Sequence, residues 1–203
     1  VYTEAARLLF AGGKSQIPVT VSLNTLLKAN GTQIGYLDFS VPIQTSLASL
    51  TLQLGRAEEV QVLVPLNGHT DLKKYAPRKS ALHATLQYQG LKWSLVGAIS
   101  ELSNNGQQAK QGMRYLTLTV NVDNPLTQIV IPGSPFDYMR LKVGSQSLAP
   151  QETTLPVSFA AGESGKSGDV TFLIRQNAST QTFILLAQTQ NGFDQATQTL
   201  SIP

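Results

Sequence analysis

Two histidines flank a run of basic residues, His69 ahead of it and His83 behind it, and Asp71 lies two positions from the first. In an extended chain residues i and i+2 share a side, so His69 and Asp71 would present an imidazole and a carboxylate together. His83, on a neighbouring strand, could join them. Imidazole and carboxylate suit zinc or copper, and this set of three would leave a coordination position open. The simpler reading is a loop histidine and a strand histidine with no ligand. The chain has no Cys and only Met113 and Met139 as soft donors. That excludes thiolate nucleophiles, Cys-bound zinc and iron–sulfur clusters, and it makes a copper carrier hard to build. No cofactor is implied.

Other candidates are weaker. There is no Gly-x-Ser-x-Gly elbow to expose a nucleophilic serine. Gly162-Glu163-Ser164-Gly165-Lys166-Ser167 looks superficially like a phosphate-binding loop, but its spacing is wrong and a strand follows it, not a helix. It reads as a loop between strands. Glu58 and Glu59 are adjacent, so on a strand they would point to opposite faces. Asp123, Asp137 and Asp169 could line one end of a β-sandwich, but no loop has the dense Asp/Asn spacing that calcium favours.

Composition narrows the classes further. Of 203 residues only 13% are charged, about half the usual share. Uncharged polar residues replace them, with 19 Gln and 19 Thr. Such a balance is common in secreted bacterial β-proteins, so the expected location is extracellular or in the cell envelope. No apolar run approaches the roughly 18 residues of a transmembrane helix. Val1–Arg7 lacks the basic and then apolar pattern of a signal peptide. The net charge of +3 sits wholly in residues 67–90, where Lys73, Lys74, Arg78 and Lys79 face only Asp71. Asn67-Gly68 and Pro77 mark turns in that segment. It reads as a solvated connector, or as a contact for an acidic partner through Lys73, Lys74, Tyr75, Arg78 and Lys79. Four cations and one aromatic are too few for nucleic acid.

The elements that would carry these residues are strands. Period-two alternation marks Ile17–Leu23, Tyr36–Val41, Leu47–Leu54, Val60–Val64, Ala81–Tyr88, Leu91–Ile99, Tyr115–Val122, Met139–Val143, Val170–Ile174 and Thr182–Ala187. The clearest is Tyr115–Val122, with Leu116, Leu118, Val120 and Val122 on one side. Helical spacing is weak and confined to Thr3–Phe10 and Leu23–Lys28. Many short strands punctuated by Gly, Pro, Asn and Asp predict an all-β sandwich or barrel.

Residues 90–203 carry a sequence of landmarks. Gly90-Leu91-Lys92-Trp93-Ser94-Leu95-Val96 opens it, and an Asn/Gly/Gln-rich loop follows at 103–112. Then come Arg114–Pro125, Phe136-Asp137-Tyr138-Met139-Arg140-Leu141, the glycine loop Gly162–Gly168 and Asp169–Ile174. This pattern resembles the immunoglobulin-like domain of bacterial secreted proteins and lipoproteins of unknown function, similar in fold to the mycobacterial immunoprotective secreted antigen. The family's long strand ending in Asn is matched by Asn124. Its glycine loop here follows Ala160-Ala161 where the family has Pro. The resemblance implies a sandwich and brings no catalytic residues.

The start of the chain echoes its end at an offset of 133. Arg7-Leu8 matches Arg140-Leu141, Gly35 and Phe39 match Gly168 and Phe172, and Thr20, Ser46 and Leu52 match Thr153, Ser179 and Leu185. The expected organisation is therefore two tandem immunoglobulin-like β-sandwich domains: 1–66, a partial copy lacking its opening strands; 67–89, a basic linker with one strand; and 90–203, a full domain. The strand at Ala81–Tyr88, or a strand from another chain, could complete the first domain, since an open sheet edge is a template for pairing. The expected function is a non-enzymatic structural or interaction module of the extracellular space or cell envelope, as a subunit of a larger surface assembly. Its partner would be another protein subunit, not nucleic acid, and the chain would not span a membrane. The alternative is a small metal-binding or enzyme-accessory protein using His69, Asp71 and His83.

Overall fold

The computed structural model describes residues 2–23, 31–178, 180–189 and 192–202, with side chains for all of these except 2, 3, 187–189 and 192–194. The chain is almost entirely strand, and it divides into two compact units, Val1–Ala76 and Pro77–Pro203. Among the described residues no helix is long and apolar enough to cross a membrane.

The first unit opens with a helical turn, α1 (Tyr2–Ala5), that runs into β1 (Ala6–Leu9). Five short strands follow: β2 (Ser15–Gln16), β3 (Thr20–Val21), β4 (Leu37–Asp38), β5 (Thr51–Leu54) and β6 (Val62–Pro65). One antiparallel sheet has the order β2-β1-β5-β6, and β3 pairs with β4 alone.

The second unit holds β7 (Arg78–Tyr88), β8 (Leu91–Glu101), β9 (Ser103–Asn104), β10 (Gln107–Gln108) and β11 (Met113–Asp123). A second helical turn, α2 (Pro135–Tyr138), leads to β12 (Met139–Val143) and β13 (Gln146–Leu148). β14 (Glu152–Thr153), β15 (Lys166–Arg175), β16 (Thr180–Thr189) and β17 (Gly192–Ser201) complete it. The sheets are β14-β15-β11-β8-β7 and β13-β12-β16-β17, with β9-β10 a small hairpin. One hydrophobic core draws on both sheets, so the unit is a β-sandwich.

Alternation explains that core. Leu116, Leu118, Val120 and Val122 of β11, Leu91, Trp93 and Leu95 of β8, and Val170 and Phe172 of β15 are all fully buried. From the other sheet Met139, Leu141, Phe183 and Leu185 meet them, also fully buried. Trp93 packs edge-on against Tyr88, Tyr138 and Phe159 at 5.6–6.2 Å between ring centroids. Its indole N–H donates to the Tyr88 carbonyl at 3.3 Å. Gln89 and Gly90, both at positive φ, make the two-residue turn between β7 and β8, as the sheet's twist requires. Phe136 is 43% exposed, because the turn of α2 buries Pro135 and Tyr138 and leaves Phe136 outside.

Several expectations are revised. The segment 67–89, expected as a basic linker with one strand at Ala81–Tyr88, holds a strand that starts earlier, at Arg78, and forms the outer strand of the larger sheet, paired with β8 from Arg78↔Ser100 to Tyr88↔Leu91. The second unit therefore opens at Pro77, not at residue 90, and this strand does not complete the first unit. The physical reason is Leu82, Leu86 and Tyr88, whose burial outweighs two cations at the strand's start. Strands expected over Ile17–Leu23 and Tyr36–Val41 shrink to β3 and β4, and Leu47–Ser49 is a 3-10 turn ahead of β5. The helical pattern at Thr3–Phe10 resolves into α1 and β1. The helix expected at Leu23–Lys28 lies largely outside the described residues.

Two predictions follow from the core, both read by Trp93 fluorescence during urea unfolding, since the sole Trp reports the second unit alone. A Cβ built on Gly168 would lie 2.9 Å from the Cα of Leu155, so backbone must move; Gly168→Ala should cost about 1–3 kcal/mol. Among the described residues the buried Tyr138 hydroxyl has no partner, so its desolvation is uncompensated. Tyr138→Phe should leave stability unchanged or raise it by about 1 kcal/mol; a clear loss would mean the hydroxyl has a partner.

Candidate functional site

The basic segment is held by Tyr75. Lys73–Tyr75 is a 3-10 turn, and the Tyr75 hydroxyl accepts the Leu63 backbone N–H at 2.9 Å. That contact covers part of β6, the outer strand of the first sheet. Lys74 Nζ lies 4.9 Å from the centroid of the Tyr75 ring, a cation–π geometry that fixes one charge over the pin. Lys73, Lys74, Arg78 and Lys79 are exposed, and among the described residues none makes an ion pair. Lys73 and Lys74 belong to the first unit, and Arg78 and Lys79 to the second.

The metal candidates separate. Asp71 Oδ1 accepts the Lys73 backbone N–H at 2.9 Å, and the His69 backbone N–H donates to Asn67 Oδ1 at 3.0 Å. Both are local turn contacts. His83 is an exposed residue of β7, in the bulge between Ala81 and Ala84, on the other unit. Among the described residues no group of three or more His, Asp or Glu is placed to hold a metal ion. The site of His69, Asp71 and His83 is thus not assembled, because local turn bonds hold the first two and the third belongs to a different unit.

The aspartates expected at one end of the sandwich hold structure. Asp123 Oδ1 accepts the Gly165 N–H at 2.7 Å and the Ser164 hydroxyl at 3.2 Å. The Gly165 bond, the Ser164 bond and the nearby Lys92 ammonium keep its carboxyl below the usual range. Glu163 closes the other side of the same loop, accepting the Ala160 N–H at 2.9 Å and lying 3.3 Å from Lys166 Nζ. The loop's Gly165 N–H is therefore filled by a carboxylate, which removes a phosphate cradle from consideration. Asp169 accepts the Thr119 hydroxyl at 2.8 Å within the sheet, and Asp137 lies in α2, so the three do not converge.

Asn124 is the organiser of this end. It is 1% exposed, and its Nδ2 donates to the carbonyls of Gln128, Phe159 and Ala160 at 2.8–3.1 Å. Its Oδ1 accepts the Leu126 N–H at 3.0 Å. One carboxamide thus joins the end of β11 to two loops.

Sequence reasoning missed Arg114. It is buried, its Nη2 donates to the Ser100 carbonyl at 3.0 Å, and its Nε has no partner. Burial first, then Arg78, lowers its pKa. Only its position opposite Ile174, at an inward place in an alternating strand, could have flagged it. The described residues also form two surface depressions, one edged by Phe10, Lys14 and Pro42, the other by Lys142, Gly144 and Thr180. Each has a lysine as its only ionisable lining residue.

No family model and no curated protein matches the sequence. Solved structures that align with it include two bacterial proteins. One is a functionally unknown protein from Listeria monocytogenes EGD-e, at 12% identity and TM-score 0.47, over 63% of this chain and 86% of that one. The other, provisionally described as a lipoprotein (ycdA) of Bacillus subtilis, aligns at 11% identity and TM-score 0.44 over 59% of this chain. The match covers only 38% of the Bacillus protein's length. Likeness at this level carries no argument about activity.

Truncating the organiser gives a direct test. Asn124→Ala removes the carboxamide's bonds to Leu126, Gln128, Phe159 and Ala160 from a buried position and should cost about 1–3 kcal/mol. Trp93 fluorescence in urea should show a lower midpoint at unchanged slope. A shift below about 0.5 kcal/mol would remove Asn124 from this role.

Proposed function

We propose that the chain is a non-enzymatic structural and interaction module of the bacterial cell envelope or extracellular space, built of tandem immunoglobulin-like sandwiches and working as part of a larger surface assembly. The observation that supports this best is the open state of the first unit. In the second unit β15 pairs with β14 on one side and with β11 along ten residues on the other. In the first unit β4 pairs with β3 alone, and no described strand occupies the place beside it. Strand addition at that place, by a segment from outside residues 1–76, would make the module a joint in an assembly. The sparse charge and the Gln/Thr-rich strands favour an exterior location.

Lys73, Lys74, Tyr75, Arg78 and Lys79 would form the second contact, for an acidic partner surface. Exposed cations attract such a surface and lose that attraction as salt rises. Lys74 is held over Tyr75, so part of the charge is pre-positioned.

The test compares two variants of equal net charge on a column of immobilised polyglutamate. One carries Lys73→Gln, Lys74→Gln, Arg78→Gln and Lys79→Gln; the other carries Lys14→Gln, Lys110→Gln, Lys142→Gln and Arg175→Gln. The first should elute at markedly lower salt than the second. Equal elution would mean that net charge alone governs binding and that the segment is a plain connector.

A further inference from the structure

We infer that residues 2–76 are the closing part of a second sandwich of the same kind, and that a three-stranded meander built like β7, β8 and β11, carried by the polypeptide ahead of Val1, lies over the β2-β1-β5-β6 sheet. This rests on the module reading above and names what fills its open position.

The first argument is the repeat, which runs through the elements as well as the letters. At an offset of 133, α1 (Tyr2–Ala5) falls on α2 (Pro135–Tyr138) residue for residue, and β1 falls on the start of β12. The pairings recur. β1-β2 corresponds to the β12-β13 hairpin, β3-β4 to β14-β15, and the sheet β2-β1-β5-β6 to the sheet β13-β12-β16-β17. Thr20↔Asp38 shifted by 133 lies within one residue of Thr153↔Val170. The matched glycines do the same work. A Cβ on Gly35 would lie 2.5 Å from Leu23 Cδ2, and one on Gly168 would lie 2.7 Å from Leu155 Cδ2. Every element of the second unit from α2 onward has a counterpart. β7, β8 and β11 have none among the described residues.

The second argument is exposure. In the second unit β7, β8 and β11 are three of the five strands of the larger sheet, and that sheet and the β13-β12-β16-β17 sheet bury each other's apolar faces. Val170, Phe172, Phe183 and Leu185 are fully buried there, and Ile174 is 2% exposed. Of their counterparts Leu50 is also buried, but Leu37, Phe39 and Leu52 are only half-buried and Val41 is 38% exposed. Ile34 and Ile43 are fully in solvent. Among the described residues of the first unit only four hydrophobics other than Pro are buried, Ala6, Leu8, Leu50 and Val60. That is far below what a unit of this size needs for stability by itself.

The third argument fixes the donor. In the second unit the meander comes first and the helical turn second, joined by residues 124–134. A repeat in the same order puts the first unit's meander ahead of α1 in one polypeptide. A separate subunit would have to reproduce the same three strands without the connection that sets their register.

The test uses the protein from its natural source, by intact mass and by hydrogen exchange, beside the 203-residue chain alone. Arg78–Asp123 spans 46 residues, so the natural chain should extend at least that far ahead of Val1. Amides of Leu37–Asp38 and Thr51–Leu54 should exchange about a hundredfold more slowly in it than in the 203-residue chain. A natural chain starting at or near Val1 overturns the inference, as does an extension that leaves those amides unchanged. Protection that rises only with a separate subunit leaves the module reading standing and this donor wrong. Amides already as slow in the 203-residue chain alone mean the first unit closes itself, and both readings fall.

Discussion

A β-sheet with one apolar face needs something over that face, and most of what distinguishes the two units follows from whether it is there. β11 sits in the middle of the larger sheet, bonded to β8 on one side and β15 on the other. Its four inward residues are fully buried. At about 1.5–3 kcal/mol for each buried aliphatic side chain, this one strand supplies a large part of the second unit's stabilisation. It also sets lengths. β15 runs ten residues because β11 runs beside it for ten pairs. β4, its counterpart, stops after two residues, although Phe39 and Val41 continue the same alternation. Strand length here is a property of the neighbour more than of the strand.

The scarce charges have a comparable explanation. Asp123, Glu163 and Lys166 tie one loop, Glu152 accepts from Asn104 and Asn105 at 2.7 Å, and Asp169 accepts from Thr119. Each of these carboxylates takes a bond from a donor that the fold itself presents. The backbone N–H that Asp123 accepts from Gly165, and the one that Glu163 accepts from Ala160, lower the carboxyl pKa of each. A general acid needs the opposite environment. Asp123 and Glu163 thus serve the loop before β15, and Asp169 ties β15 to β11.

Much of this was legible from the residues. Leu116, Leu118, Val120 and Val122 named both a strand and its buried face, and Trp93 between Leu91 and Leu95 named the core. The all-β class needed nothing more. Alternation could not say whether a strand has a neighbour, so the strands of residues 17–41 were read too long. Alternation found the strand at Ala81–Tyr88, but Arg78 and Lys79 dominate a short window, so composition gave 78–80 to a linker and parted the strand from the sheet in which Leu82, Leu86 and Tyr88 are buried. The spacing of His69 and Asp71 was correct as arithmetic. It failed as a site because Asp71 is held by the Lys73 N–H in a turn.

The echo between the two halves shows where sequence identity survives and why. Only seven positions agree over residues 1–54, yet several are places where geometry leaves little choice. Gly35 and Gly168 sit where a strand crosses too close for a Cβ. Leu8 and Leu141 point into the sheet's apolar face from equivalent strands that follow equivalent helical turns. Leu52 and Leu185 stand opposite or nearly opposite them on the next strand. Phe39 and Phe172 occupy the same place beside the position that β11 fills. Positions facing water are free to drift, so overall identity decays while the residues that set register and close approach remain. The order of a few constrained residues, read together with their pairings, therefore carries the likeness of the two units that we infer, where percentage identity does not.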